Sequence, residues 1–223
     1  GTVSNNTFRS NTIGIYVQDI DPTISGNTFD NNTSYAVKLT SAYPQSLNNN
    51  TYIGTGASIN ALGNFTRSGT LKKLNIPYVF DTLTVRGLNP GDSATLTIDP
   101  GVTVKVNNNT NLQIGYLNGS NQHYGGLMAV GTPTEKITFT INQTQWNSIN
   151  FTDQTIDANS ILDNCIIEKG GNNSTNNIVI DESSPTIRNS QIQNSFSNGI
   201  KITGATSLPI LDNNTINNNP TGL

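Results

Sequence analysis

The chain has 223 residues, with 11 Lys and Arg against 14 Asp and Glu, a formal charge of −3 and 33% hydrophobic residues. Charge this sparse offers no basic surface for nucleic acid and no Lys/Arg cluster for anionic lipid, and the longest apolar runs fall far short of a membrane span. The single cysteine excludes an internal disulfide, and the apolar content, low for a globular enzyme, suits a thin core built from short strands.

The first element is a template: an apolar residue, then Asn, then Thr and a second apolar residue. It reads VSNNTF at Val3–Phe8, ISGNTF at Ile24–Phe29 and LNNNTY at Leu47–Tyr52, and returns as LDNNTI at Leu211–Ile216. A repeat of about 21 to 25 residues marks a solenoid. After each template comes an apolar pair spaced by two: Ile15 and Val17, Val37 and Leu39, Ile59 and Ala61. That spacing predicts a short strand with one buried face, and the Asn, Ser, Gly and Asp between strands are turn formers. The expected fold is all-β, a right-handed single-stranded parallel β-helix of about nine to ten coils and roughly 45 Å in length.

Residues 65–145 lose the template but carry alternating, β-branched runs: TLTVRGL, ATLTIDPGVTVKV, LMAVG and KITFTI, with a turn at Asp99-Pro100-Gly101. From 146 onward Asn-type coils resume. Leu162 leads to Ile167, Ile178 and Ile180, Ile187 to Ile192, Ile200 and Ile202, and Leu211 to Ile216 and Leu223. No linker interrupts the chain, so the expectation is one continuous section, 1–223, of a larger protein: Asn-type coils over 1–64, irregular coils over 65–145 and Asn-type coils over 146–223. Leu211–Leu223 repeats Val3–Ile15, so both ends are expected to lie inside a repeat and to stack end to end. Abundant Asn, Ser and Thr with little charge suits an extracellular or cell-surface setting.

Asn6, Asn27, Asn50 and Asn214 hold the same place in their templates, and Cys165 holds it in the Leu162 coil. Stacked coils would lay these side chains one above another, about 4.8 Å apart, as a structural ladder. Cys165 would need a neighbouring base to act as a nucleophile, and the only His, His123, is distant in sequence. His123 and Tyr124 lie in YLNGSNQHYGG, which reads as a protruding loop with a solvated His and is the first place to look for glycan contact. The acid groupings Asp19/Asp21, Asp153/Asp157 and Asp181/Glu182 sit in turn-like contexts that favour local hydrogen bonds, and Asp19/Asp21 is only a weak calcium pattern. Arg9 with Asp30, and Asp163 with Arg188, share outward positions on successive coils and read as ordinary ladder pairs. About a dozen Asn-x-Ser/Thr sequons occur; Asn64, Asn118, Asn142 and Asn150 are the candidate glycosylation sites away from the ladder.

The segments NIPYVFDTLTVRGLNPGDSATLTIDPGVTVKV, GLMAVGTPTEKITFT, WNSINF, LDNCIIEKGG and SSPTIRNSQIQNSFSNGIKI resemble, in that order, the NosD-type or pectin-lyase-like parallel β-helix repeats of bacterial and archaeal cell surfaces. The resemblance covers essentially the whole chain. It implies a β-helix, export and an array-like parent protein, in a family of structural, adhesive, carbohydrate-binding and carbohydrate-active members. The polygalacturonase-like set of Asn-Thr-Asp, Asp-Asp, His-Gly and Arg-Ile-Lys is absent, as is an Asp-Pro-His motif of alginate-epimerase type. The expectation is therefore a non-enzymatic structural or adhesive section that needs no cofactor or metal. Its expected partners are copies of itself or neighbouring surface proteins end to end, and glycans, with no nucleic acid and no membrane insertion. The alternative is a fragment of a secreted polysaccharide lyase, epimerase or hydrolase.

Overall fold

A computed structural model describes residues 1–43, 46–172 and 176–223. These form nine stacked coils of parallel strands. Coil 1 holds β1 (Thr2–Ser4), β2 (Thr7–Arg9) and β3 (Ile13–Gln18), and coil 2 holds β4 (Thr23–Ser25), β5 (Thr28–Asp30) and β6 (Tyr35–Thr40). Coil 3 enters at a bridge from Ser46 to Thr23 and continues through β7 (Thr51–Ile53) and β8 (Ile59–Phe65). Coil 4 has β9 (Gly69–Leu71) and β10 (Tyr78–Val85), and coil 5 has β11 (Ser93–Ile98), β12 (Thr103–Val106) and β13 (Leu112–Ile114). A hairpin strand, β14 (Tyr116–Asn118), precedes coil 6, which comprises β15 (Asn121–Val130), β16 (Ile137–Ile141) and β17 (Ile149–Phe151). Coil 7 holds β18 (Ile161–Asp163), β19 (Cys165–Glu168) and β20 (Asn176–Asp181). Coil 8 holds β21 (Thr186–Arg188), β22 (Gln191–Gln193) and β23 (Asn198–Thr203), and coil 9 ends the stack with β24 (Ile210–Asp212) and β25 (Thr215–Asn217). The architecture is a parallel β-helix.

The sharp corners explain why Asn is so common. Asn5, Asn49, Asn164, Asn189 and Asn213 all take a left-handed backbone (φ 58°, 56°, 50°, 50° and 51°), and Gly26 does the same in coil 2 (φ 68°). Asn tolerates this region better than other side chains because its short amide can bond locally. Single left-handed residues bend the chain between the first and second strands of a coil. The second bend repeats the device at Ser10, Asn31, Asn194 and Asn218.

Inside, like residues stack in rows. One row runs the whole length, through Ile15, Val37, Ile59, Tyr78, Val104, Phe139, Ile167, Ile192 and Ile216. The rings of Phe8, Phe29 and Tyr52 form a shorter row, stacked with centroids 5.3 and 5.4 Å apart.

The template suggests that Ile216 continues the row of Phe8, yet the structure places it in the row of Ile15. The reason lies in coils 3 and 4. The β2–β5–β7 sheet stops at Tyr52, because the next turn, Lys72–Ile76, has no Asn-Thr-apolar template to extend it. That segment crosses instead, with Leu74 and Ile76 packed against the core and Leu74 beside Tyr52. β8 pairs with the two halves of β10 on either side of a register shift between Phe80 and Leu83, so its second half, Gly63–Phe65, starts a new column that continues through β13, β17, β20 and β23.

Candidate functional site

The polar side chains at the bends bind coil to coil. Asn27 Oδ1 accepts from the Asn6 N–H at 2.9 Å, while its Nδ2 donates to the Val3 carbonyl at 2.9 Å and the Ser25 carbonyl at 3.2 Å. Asn50 repeats this one coil on, accepting from the Asn27 N–H at 2.9 Å and donating to the Ile24 carbonyl at 2.9 Å. In the last coils the Cys165 N–H donates to Ser190 Oγ and the Ser190 N–H to Asn214 Oδ1, both at 3.0 Å. Cys165 itself is buried, its thiol 3.3 Å from the Ala129 carbonyl, and burial pushes its pKa up to about 12. His123 is not among its partners.

A second ladder follows five residues behind the first. The Asn11 N–H donates to Asn32 Oδ1 at 3.2 Å, and the Ser195 N–H to Asn219 Oδ1 at 2.9 Å. Asn32 and Asn219 donate in turn to the Phe8 and Ile192 carbonyls at 3.0 and 3.1 Å. The signal was present in sequence as the constant offset from Asn6 to Asn11, Asn27 to Asn32 and Asn214 to Asn219, but reading the repeat as one Asn per coil passes over it.

The acidic groupings do not converge. Asp21 accepts from the Tyr43 N–H at 2.8 Å and pairs with Arg67 at 3.2 Å, which sets a cation where a metal would compete. Asp153 is bonded by its neighbour Gln154 at 2.8 Å, and Asp157 accepts from the Ser184 N–H at 2.7 Å. Asp181 accepts from the Thr203 hydroxyl at 2.8 Å. Glu182 accepts from the N–H groups of Ala205 and Thr206 at 3.1 and 3.0 Å and from the Thr206 hydroxyl, and these bonds hold its carboxyl below the usual range. Arg9 pairs with Asp30 at 2.7 Å and Arg188 with Asp163 at 2.8 Å, each across one coil step. Among the described residues no group of three or more His, Cys, Asp and Glu side chains is placed to hold a metal ion.

One feature stands out from the coil surface. β14 and the start of β15 form an antiparallel hairpin turning at Gly119-Ser120, with Tyr116 opposite His123 and Asn118 opposite Asn121. The segment 86–92, some thirty residues earlier in the chain, lies along it: the Gly87 N–H donates to the Tyr124 carbonyl at 2.9 Å, and the Tyr124 N–H to the Asp92 carbonyl at 3.0 Å. Bonds from the Asn89 N–H and side chain close the 89–92 turn and lower the Asp92 pKa. The two segments together make a ledge with Leu88 and Leu117 exposed at its rim.

His123 corrects the loop expectation. It is 6% exposed, not solvated, because the 86–92 segment covers it. Its Nδ1 lies 3.0 Å from the Gly87 carbonyl and 3.2 Å from Arg86 Nη1. The Arg86 guanidinium also sits over the Tyr116 ring, 5.1 Å from its centroid. Arg86 is the half of this cluster that sequence reasoning passed over, since nothing local connects it to the hairpin.

No family model, no curated protein and no solved structure matches this chain.

A second surface feature is a groove of about 340 Å³ on the outer face of the large sheet, walled by Tyr35, Ser58, Pro77, Val79, Lys105 and Asn142. It collects one cation and no carboxylate. Of the sequon residues, Asn64, Asn118 and Asn142 are exposed, while Asn150 is half-buried in β17 between Gln113 and Val179 of the adjoining strands. No helix among the described residues is long and apolar enough to cross a membrane.

Proposed function

We propose that this chain is a structural and adhesive section of an extracellular, cell-surface repeat protein of the NosD-type or pectin-lyase-like kind. What supports this most is the use made of its ionisable side chains. Asp21, Asp157, Asp181, Glu182, Arg9 and Arg188 are each engaged by a group of another coil, so they hold the stack together instead of facing a common cleft. Catalysis on a polysaccharide needs two such groups aimed at one bond from a shared groove.

The adhesive role falls to the ledge of residues 86–92 and 116–124. The Tyr116 ring backed by the Arg86 guanidinium, with Asn118 and Asn121 on the same face of the hairpin and Leu117 exposed on the other, suits the apolar face and hydroxyl edge of a sugar. Exposed Asn64, Asn118 and Asn142 fit glycosylation at a cell surface.

The test is a binding assay on immobilised envelope polysaccharide, comparing the chain with the double variant Tyr116→Ala, Leu117→Ser. Retention should fall at least tenfold in the variant while its circular dichroism stays that of a β-protein. Equal retention by both removes the ledge from the account. Shortened or unsaturated oligosaccharides released from pectate, alginate or chondroitin, and abolished by substituting Lys105 or an Asp, would establish the enzymatic alternative instead.

A further inference from the structure

A sheet edge opens inside the stack. β7 pairs with β5 on one side and with no strand on the other, although coil 4 follows it. Only residues 72–77 separate β9 from β10, whereas residues 26–34, with the whole of β5, separate β4 from β6. So short a connection leaves no chain for a strand and two bends. In place of the missing strand is a hollow of about 300 Å³, lined by Asn48, Asn50 and Tyr52 of coil 3 and by Lys73, Leu74 and Asn75 of coil 4.

The register identifies the backbone groups along this edge. The Thr51 N–H donates to the Asn27 carbonyl at 2.8 Å, and the Asn31 N–H to the Ile53 carbonyl at 2.9 Å, so Thr51 and Ile53 face β5. In a parallel ladder alternate residues serve opposite neighbours, which turns the backbone groups of Asn50, Tyr52 and Gly54 away from β5. Coil 2 shows the same alternation, since the Thr28 N–H donates back to the Asn6 carbonyl while Asn27 and Asn31 serve coil 3. Among the described residues no N–H of Asn50, Tyr52 or Gly54 is bonded to coil 4. Exposure agrees: Tyr52 is half-buried where Phe29 is 2% exposed, and Ile53 is 46% exposed.

Three features stop together at this edge, and they specify what would continue them. The backbone calls for an extended strand parallel to β7. The stacked rings of Phe8, Phe29 and Tyr52 call for an aromatic residue opposite Tyr52. The Asn50 N–H calls for the Oδ1 of an Asn two residues earlier, because the Asn6 N–H finds Asn27 Oδ1 and the Asn27 N–H finds Asn50 Oδ1. We propose that the β7 edge is a strand-addition site whose partner is an extended peptide of sequence Asn-Thr-aromatic, seated in the hollow in register with Asn50, Thr51 and Tyr52. The peptide Thr N–H donates to the Asn50 carbonyl, and the Tyr52 N–H to the Thr carbonyl. The residue after the aromatic donates its N–H to the Tyr52 carbonyl and accepts from the Gly54 N–H. Main-chain bonds supply affinity, and the Asn and aromatic positions supply selectivity. This site shares no residue with the ledge, so the two readings stand or fall separately.

The probe is a synthetic peptide, Ile-Ser-Gly-Asn-Thr-Phe-Asp-Asn, the sequence of residues 24–31, with a fluorophore at its N-terminus. Fluorescence anisotropy should show saturable binding to the whole chain. N-methylation of the peptide at Thr or at Asp removes an N–H aimed at β7 and should weaken binding at least about tenfold, whereas the same change at Phe, whose N–H points away, should alter it less than about twofold. Amide hydrogen exchange, followed by NMR on the labelled chain, locates the site. The N–H groups of Tyr52 and Gly54 should exchange fast in the free chain and slow at least about tenfold with saturating peptide, while Thr51 and Ile53 stay protected throughout. Lack of saturable binding at about 1 mM peptide overturns the proposal. So do equal effects of the three methyl groups, binding that leaves Tyr52 and Gly54 unchanged, and protection of both amides before peptide is added.

Discussion

Replacing Asn27 with Ala tests whether the ladder carries stability or merely decorates the bends. Asn27 is 1% exposed, and its amide accepts from the Asn6 N–H and donates to the carbonyls of Val3 and Ser25. The backbone N–H of residue 27 would still reach Asn50 Oδ1, so the loss is that of the three bonds to backbone groups, together with longer amide–amide bonds to Asn6 and Asn50 at 3.3 and 3.2 Å. Each bond is worth about 1 kcal/mol net, with a further penalty where a shielded carbonyl is left without a donor, giving a loss of about 3 kcal/mol. For a chain of this size that corresponds to a fall in Tm of about 6–12 °C. The matched control is Asn6→Ala, whose side chain lies in the exposed first coil and should cost under about 1 kcal/mol. Thermal unfolding followed by far-ultraviolet circular dichroism reads both. Equal shifts for Asn27→Ala and Asn6→Ala would refute the reasoning, because burial of the bonded amide is what separates the two.

Two further outcomes follow from the buried and bonded ionisable groups. The Cys165 thiol, with its pKa pushed to about 12 by burial, should resist iodoacetamide at pH 8 in the folded chain and react fully in denaturant; stoichiometric labelling of the native protein would contradict its ladder position. Glu168 is subject to burial, which raises its pKa, but bonds from Gln193 and Thr140 and the charge of Lys169 outweigh it and leave the carboxyl below its usual value. Its folded pKa being depressed, the unfolded chain binds the proton first as pH falls. The stabilisation is therefore present above the ordinary Glu pKa of about 4.3 and is lost as pH drops through the folded value. Glu168→Gln should flatten the dependence of Tm on pH across that window, and an unaltered acid profile would remove Glu168 from the account.

The features legible in the sequence are those set by local rules. Alternation placed Ile15 and Val17, Val37 and Leu39 on an inner face, because side chains on a strand point to opposite sides in turn. Paired Asn residues marked the bends, because one Asn must adopt the left-handed backbone and the next must satisfy groups of the neighbouring coil. What the chain does with its columns was decided at longer range. Phe8 and Ile216 occupy the same template position yet stand in different rows, since the β2–β5–β7 sheet ends under Lys72–Ile76 and a new column opens at Gly63–Phe65. The same applies to the ledge. His123 looked like a solvated loop residue because its cover, Arg86 and Gly87, comes from the coil before, and no local pattern pairs them. Conformational preference acts within a few residues of the chain, whereas burial and partner choice depend on which segments the stack brings one strand spacing apart.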